Sequence, residues 1–248
     1  MELLSIDLSN YCSKQCPFCY NHSTKEGNVM WTPDEVIAFA SDCIAHGVKA
    51  VSLGGGEPFE YDGIFEVIDA LYPKCYLSVT TNGKQFGRSV SWETLAKHKP
   101  DKVHISLHNP GNGLELSMVL QECRMLQKCG IKPGCNLLVR ASDIDNARNA
   151  FDVLADFLSP DQIILIPMRF SDTPTAKQLS EVAGGKPFQS PSCLLGCKRP
   201  DHFVSVSWDK KVNHCSYAGG RQPLETLDYE GVLKALNRVK WKSCLPND

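Results

Sequence analysis

Short apolar runs alternate with longer amphipathic stretches along most of the 248-residue chain. The runs Leu3–Leu8, Ala50–Leu53, Cys75–Thr80, Val103–Leu107, Cys135–Val139 and Ile163–Ile166 have strand length and composition. Between them, apolar residues recur at helical spacing near 33–46, 62–72, 91–98, 114–129 and 146–158, and more weakly over 175–182. The first helix has a defined start: Thr32 and Glu35 make a capping box, Pro33 suits the first helical position, and Gly47 marks the end. Strands joined by helices in this order predict a buried parallel sheet. Six β–α units fall short of the eight that close a full barrel, so an open partial barrel is expected, with its chemistry at the carboxyl ends of the strands. The stretch Ser171–Ser192, with three prolines and Gly184-Gly185, reads as a connector. Beyond it, Phe203–Trp208, a polar turn and Val212–His214 predict a β-hairpin, followed by a helix carrying Tyr229, Val232, Leu233 and Leu236. The expected divisions are 1–172, 173–192 and 193–248.

Composition adds few constraints. A 42% hydrophobic and 22% charged chain with net charge −2 is ordinary for a globular enzyme and has no general attraction for nucleic acid or an anionic membrane. The longest strongly apolar run, Ile163–Ile166, is far short of a bilayer span, and no secretory pattern opens the chain, so a cytoplasmic location is expected. Twelve cysteines need a reason where structural disulfides are uncommon. Cys43, Cys75, Cys123, Cys129 and Cys135 sit within helix and strand patterns and read as small buried hydrophobes. The outer groups, Cys12/Cys16/Cys19 and Cys193/Cys197/Cys215/Cys244, read as metal ligands.

Cys12, Cys16 and Cys19 follow the first strand with the spacing C-x3-C-x2-C. Three soft thiolates in a compact loop can hold three irons of a [4Fe–4S] cluster and leave the fourth open. Alone, the loop could instead bind zinc with His22 as fourth ligand. Gly54-Gly55-Gly56-Glu57-Pro58 after the second strand favours the first option, and the combination resembles the radical S-adenosylmethionine (SAM) superfamily. The resemblance covers about residues 1–170. It implies that SAM chelates the open iron and is reductively cleaved to a 5′-deoxyadenosyl radical, which abstracts hydrogen from substrate. It implies further that Gly55, Gly56 and Glu57 receive the SAM amino group and that Phe18 lies beside adenine. Thr81, Asn82, Ser106 and His108 would contact the ribose or methionine end, Leu138 and Val139 would pack on adenine, and Asn136 is a further cofactor-binding candidate from the fifth strand. Arg140 could pair with the SAM carboxylate, or Arg169 with an anionic substrate group; structural ion pairs would serve equally well.

The C-terminal cysteines resemble the twitch or SPASM-type auxiliary-cluster region, although a closing C-x2-C pair is missing. Cys193, Cys197, Cys215 and Cys244 could fully ligate a second [4Fe–4S] cluster, or three of them could leave an iron open for substrate; zinc is a rival. The whole implies an α/β partial (βα)6 radical SAM barrel with a small hairpin-plus-helix auxiliary-cluster domain. A flavodoxin- or ferredoxin-type reductase would donate electrons. Because little chain precedes the first strand, a small-molecule substrate undergoing oxidation or rearrangement is favoured over a peptide. A non-catalytic Fe–S or zinc module is the reading from another class.

Overall fold

The computed structural model describes residues 1–191 and 199–244. Six parallel strands form as expected: β1 (Leu3–Asp7), β2 (Ala50–Gly54), β3 (Tyr76–Thr81), β4 (Lys102–Leu107), β5 (Lys132–Val139) and β6 (Ile163–Pro167). The connecting helices are α1 (Pro33–Ala45), α2 (Ile64–Leu71), α3 (Trp92–Lys97), α4 (Gly113–Lys128) and α5 (Ile144–Ala155), and α6 (Ala176–Ala183) follows β6. The capping box of α1 is formed in both directions, Glu35 N–H to Thr32 Oγ1 at 3.2 Å and Thr32 N–H to Glu35 Oε2 at 3.0 Å. Gly47 ends it with φ +100°, a conformation that costs glycine nothing.

Alternation along the strands divides them into two faces. Leu4 and Ile6, Val51 and Leu53, Leu77 and Val79, Val103 and Ile105, and Cys135 and Leu137 pack against the helices in one apolar core. The alternate positions are small or polar: Ser5, Ser52, Thr80, Ser106 and Asn136 line a cavity instead. A closed barrel of eight strands is filled by bulky inner side chains; here small hydroxyls leave the interior hollow. The mid-chain thiols belong to the outer packing. Cys43, Cys123 and Cys135 are fully buried, and burial pushes the first two up to about 12.

The hairpin expected near 203–214 forms from β7 (Phe203–Val206) and β8 (Lys211–Asn213), with Val206 opposite Val212. β7 also pairs in parallel with β1, Leu3 beside Phe203 and Ile6 beside Val206, so the hairpin extends the barrel sheet. A short β9 (Gln222–Pro223) completes a nine-stranded order β6-β5-β4-β3-β2-β1-β7-β8-β9, and α7 (Tyr229–Leu236) follows. The pairing covers the edge that β1 would otherwise leave open. Val204, Val206 and Val212 join the common core.

Trp31 ties this extension to the barrel. Its indole N–H donates to the Ser207 carbonyl at 3.2 Å, its ring lies 5.5 Å from Phe39, and Lys210 sits over it at 5.1 Å. Trp31→Phe keeps a ring but removes the indole N–H bond and part of a buried side chain, while the Ser207 carbonyl keeps its bond from Lys210 N–H at 2.9 Å, so a loss of about 1–2 kcal/mol is expected in urea unfolding. A change below a few tenths would show that the indole bond contributes nothing.

Candidate active site

The cysteine loop is built by ties back to β1 and across the barrel mouth. Cys12 N–H donates to the Thr24 carbonyl at 2.8 Å and Thr24 N–H to Asn10 at 3.0 Å, closing the loop at its base. Asn21 Nδ2 donates to the Ser9 carbonyl at 2.9 Å. Ser13 donates through N–H and hydroxyl to Glu60 at 2.9 and 2.5 Å. Lys14 pairs with Glu115, in the first turn of α4, at 3.0 Å. Together these hold all three thiols against one cavity of about 270 Å³ at the carboxyl ends of the strands.

His22 is exposed and lies outside that cavity, so the three-cysteine, one-histidine zinc arrangement does not form. Among the described residues, no three metal-binding side chains converge on a single point. The thiols instead rim a space. Asn82 Nδ2 donates to Cys12 Sγ at 3.6 Å, the kind of N–H···S contact that supports a ligating sulfur. The Cys16 sulfur lies 4.0 Å from His108 Nδ1. Burial raises the Cys12 and Cys16 thiols, an energetic cost that a bound cation cluster would reverse.

The glycine turn is specified by contacts within the chain. Gly55 and Gly56 have φ +72° and +58°. A Cβ on Gly55 would meet Asp7 Cβ at 2.2 Å, and one on Gly56 would meet the Tyr11 carbonyl oxygen at 2.2 Å. These glycines therefore let β2 press against β1 and the cysteine loop, and Glu57 N–H locks the joint by donating to Tyr11 O at 2.9 Å. Glu57 is 1% exposed, and burial pushes its carboxyl up to about 7. It accepts from Phe59 N–H (3.1 Å), Thr81 Oγ1 (2.6 Å) and Asn82 N–H (2.8 Å). With about four acceptor sites on a carboxylate, one remains for a further donor. Thr81 thus faces Glu57, and its oxygen also accepts from Gly83 N–H at 3.0 Å.

Phe18 and His108 line the cavity, whereas Arg140, expected at the cofactor, packs on Phe18 outside that lining. The Phe18 and His108 rings are 5.4 Å apart and Arg140 lies 4.9 Å above Phe18. Arg140 Nη1 donates to the His108 carbonyl at 2.9 Å, so this guanidinium is committed partly to the fold. Burial, reinforced by Lys14, lowers His108 to about 4 and leaves its imidazole neutral near pH 7. Ser106, Asn136 and Leu138 line the cavity as expected, whereas Val139 points into the outer core and does not reach it. Cys215 accepts from Tyr217 N–H at 3.4 Å and Cys244 is buried, while Cys193 and Cys197 lie outside the described residues.

Several lining residues were not singled out from sequence: Tyr20, Tyr217, Met168 and the inner serines Ser5 and Ser52. Tyr20 donates to Asp7 at 3.0 Å and packs 5.0 Å from Tyr217. Alternation along β1 and β2 was a usable signal for the serines. Nothing local marks Tyr217, which reaches the cavity only because β7 pairs with β1.

A hollow partial barrel with three thiols and a glycine–glutamate turn at its mouth defines a cofactor-dependent α/β enzyme class. Residues 6–139 match the Radical SAM superfamily. The chain belongs to that superfamily of enzymes, which use a [4Fe–4S] cluster and SAM. It is 34% identical over 104 residues to a probable GTP 3′,8-cyclase of Methanocella arvoryzae, covering 42% of this chain and 33% of the relative. It is 29% identical over 113 residues to the GTP 3′,8-cyclase of Clostridium perfringens, covering 43% and 34%. The matched stretch thus spans about a third of these curated relatives. Among solved structures, Streptococcus suis SuiB bound to SAM has a TM-score of 0.65 at 16% identity, covering 86% of this chain and 60% of that one. Native anSMEcpe with bound AdoMet has a TM-score of 0.66 at 13% identity, covering 95% and 81%. At such identities the structural likeness concerns the fold. Among the described residues, no helix is long and apolar enough to cross a membrane.

Proposed function

We propose that this protein reductively cleaves SAM and uses the product to abstract hydrogen from a small molecule, in an oxidation or radical rearrangement. The observation that carries the reading is the meeting, in one cavity, of Cys12, Cys16 and Cys19 with Glu57, Ser106, Asn136 and Leu138. Cys12, Cys16 and Cys19 would hold the cluster, with Asn82 supporting the Cys12 sulfur. When bound, the cluster and SAM supply a 5′-deoxyadenosyl radical. Glu57 has one acceptor site left for the SAM ammonium, while Asn136 and Leu138 would face adenosine. Phe18, Tyr20 and Tyr217 line the same cavity and would confine the substrate beside the cofactor. A reductase of flavodoxin or ferredoxin type is the proposed electron donor.

The test is anaerobic reconstitution, reduction, and chromatographic assay of 5′-deoxyadenosine and methionine. Stoichiometric formation of both is expected; their absence from fully iron-loaded protein would overturn the reading.

A second cluster on Cys193, Cys197, Cys215 and Cys244 belongs to the same proposal, supported by the N–H···S turn at Cys215. The wild type should bind about eight irons, and a Cys193/Cys197/Cys215 triple alanine variant about four, as two four-iron clusters require. About four irons in the wild type, with zinc held by the tail, would defeat the second cluster.

A further inference from the structure

The end of β6 reverses the usual placing of two side chains. Phe170 is 60% exposed, whereas Arg169 beside it is 6% exposed and lines the cavity. Arginine remains charged at any ordinary pH and is rarely buried without a partner. Yet, among the described residues, Arg169 Nε and Nη1 are both buried without a hydrogen-bond acceptor. The other arginine that follows a barrel strand, Arg140, lies outside the cavity lining and has its carbonyl partner on His108. Among the described residues Nε and Nη1 of Arg169 have no such partner, and this nearly buried cation rests against the Tyr217 ring instead.

The arrangement is actively held. The Arg169 guanidinium lies 4.7 Å over the Tyr217 ring, Tyr217 packs 5.0 Å from Tyr20, and Tyr20 donates to Asp7 at 3.0 Å. The loop bearing Tyr217 is itself fixed by Arg221, which donates to the Ser205 and Ser216 carbonyls at 3.2 and 3.0 Å. On the β6 side the backbone turns through left-handed positions at Phe170 (φ +68°) and Asp172 (φ +53°). Phenylalanine rarely adopts such a conformation. Asp172 secures it by accepting from Ser142 N–H and Oγ at 2.8 and 2.6 Å. A strained turn that sends the phenylalanine outward and the nearly buried cation inward is the pattern of a ligand site.

We propose that Arg169 is the anchor for an oxyanion, a carboxylate or a phosphate, carried by the small-molecule substrate. The tilted Tyr20–Tyr217 pair supports the guanidinium at the lining of the cavity that the three thiols share. The inference rests on the radical SAM reading only for the word substrate; the anion site itself stands on Arg169.

The test follows thermal unfolding of reconstituted protein in sodium phosphate and, separately, sodium acetate, each against sodium chloride at matched ionic strength. One of the two anions is expected to raise the wild-type Tm saturably, by about 3–6 °C at ten times its Kd, identifying phosphate or carboxylate. The shift should persist with SAM at saturation and vanish in Arg169→Met. In Arg169→Lys, which keeps charge but loses the planar fork, it should be reduced, and this variant decides the matter if Arg169→Met does not fold. No shift in the wild type, a full shift in either variant, or loss of the shift under SAM would overturn the proposal, the last by assigning Arg169 to the SAM carboxylate. 5′-Deoxyadenosine formation by the same wild-type preparation is scored separately, so failure of the SAM reading and failure of the anion site are told apart.

Discussion

Replacing Cys12, Cys16 and Cys19 together with alanine is expected to reduce 5′-deoxyadenosine formation to background. The three thiols are the soft anionic donors at the mouth of the cavity, and the loop that carries them is held by backbone and side-chain bonds that do not involve sulfur. Cys16 and Cys19 are only half-buried, so their truncation removes little packing. Cys12 is more enclosed, and its loss also frees the Asn82 amide that donates to it. The variant should therefore stay folded by circular dichroism and bind about four irons where the wild type binds about eight. Undiminished 5′-deoxyadenosine production by this variant would remove the three cysteines from the chemistry.

Glu57→Ala should weaken both SAM binding and the fold. Loss of a charge-assisted contact of about 1.5–3 kcal/mol corresponds to one to two decades in SAM affinity. The same change orphans the buried Phe59 N–H, Asn82 N–H and Thr81 hydroxyl. At about 1 kcal/mol for each bond, the expected loss of stability is about 2–4 kcal/mol. The loss should depend on pH. Burial raises the Glu57 carboxyl from 4.5 to about 7 in the folded protein. Between those values the folded state binds the extra proton, so its stability falls as pH rises through this window and levels off above it. The full difference is about 3 kcal/mol. Glu57→Ala removes this slope and should be more damaging at pH 5.5 than at pH 8 in urea unfolding. Equal damage at both pH values would mean the carboxyl is charged throughout, and unchanged SAM affinity by calorimetry would leave Glu57 as a brace for the turn alone.

The barrel was legible because its signals are local. Each strand is a short apolar run bounded by turn residues, and the start of α1 is written in Thr32, Pro33 and Glu35. Of the five mid-chain cysteines expected to be buried, Cys43, Cys123 and Cys135 are, since helical or strand spacing places them in the outer core, whereas Cys75 and Cys129 are half-buried at its edge. The glycine turn was legible as a place of close backbone approach. Gly55 and Gly56 give room to Asp7 and Tyr11, residues remote in sequence, so the close approach they permit is between parts of the chain.

Other features depended on pairings that no local pattern encodes. The hairpin near 203–214 was readable, yet its attachment beside β1 follows from register between segments two hundred residues apart, Leu3 with Phe203. That attachment delivers Tyr217 to the cavity and, with it, the platform under Arg169. Arg140 and Arg169 looked alike in sequence, each following a strand. Tertiary structure separated them by giving one a carbonyl partner and leaving Nε and Nη1 of the other without an acceptor among the described residues.

By itself, then, the chain determines its alternating strands and helices, the three-thiol loop, and the position of the glycine–glutamate turn, because periodicity, capping and ligand spacing act over a few residues. Only the folded molecule decides which polar groups are satisfied. Whether Glu57 retains an acceptor site, or Arg169 Nε and Nη1 find an acceptor, depends on partners brought from Thr81, Asn82 and Tyr217 by strand register, and burial then sets the energetic value of each.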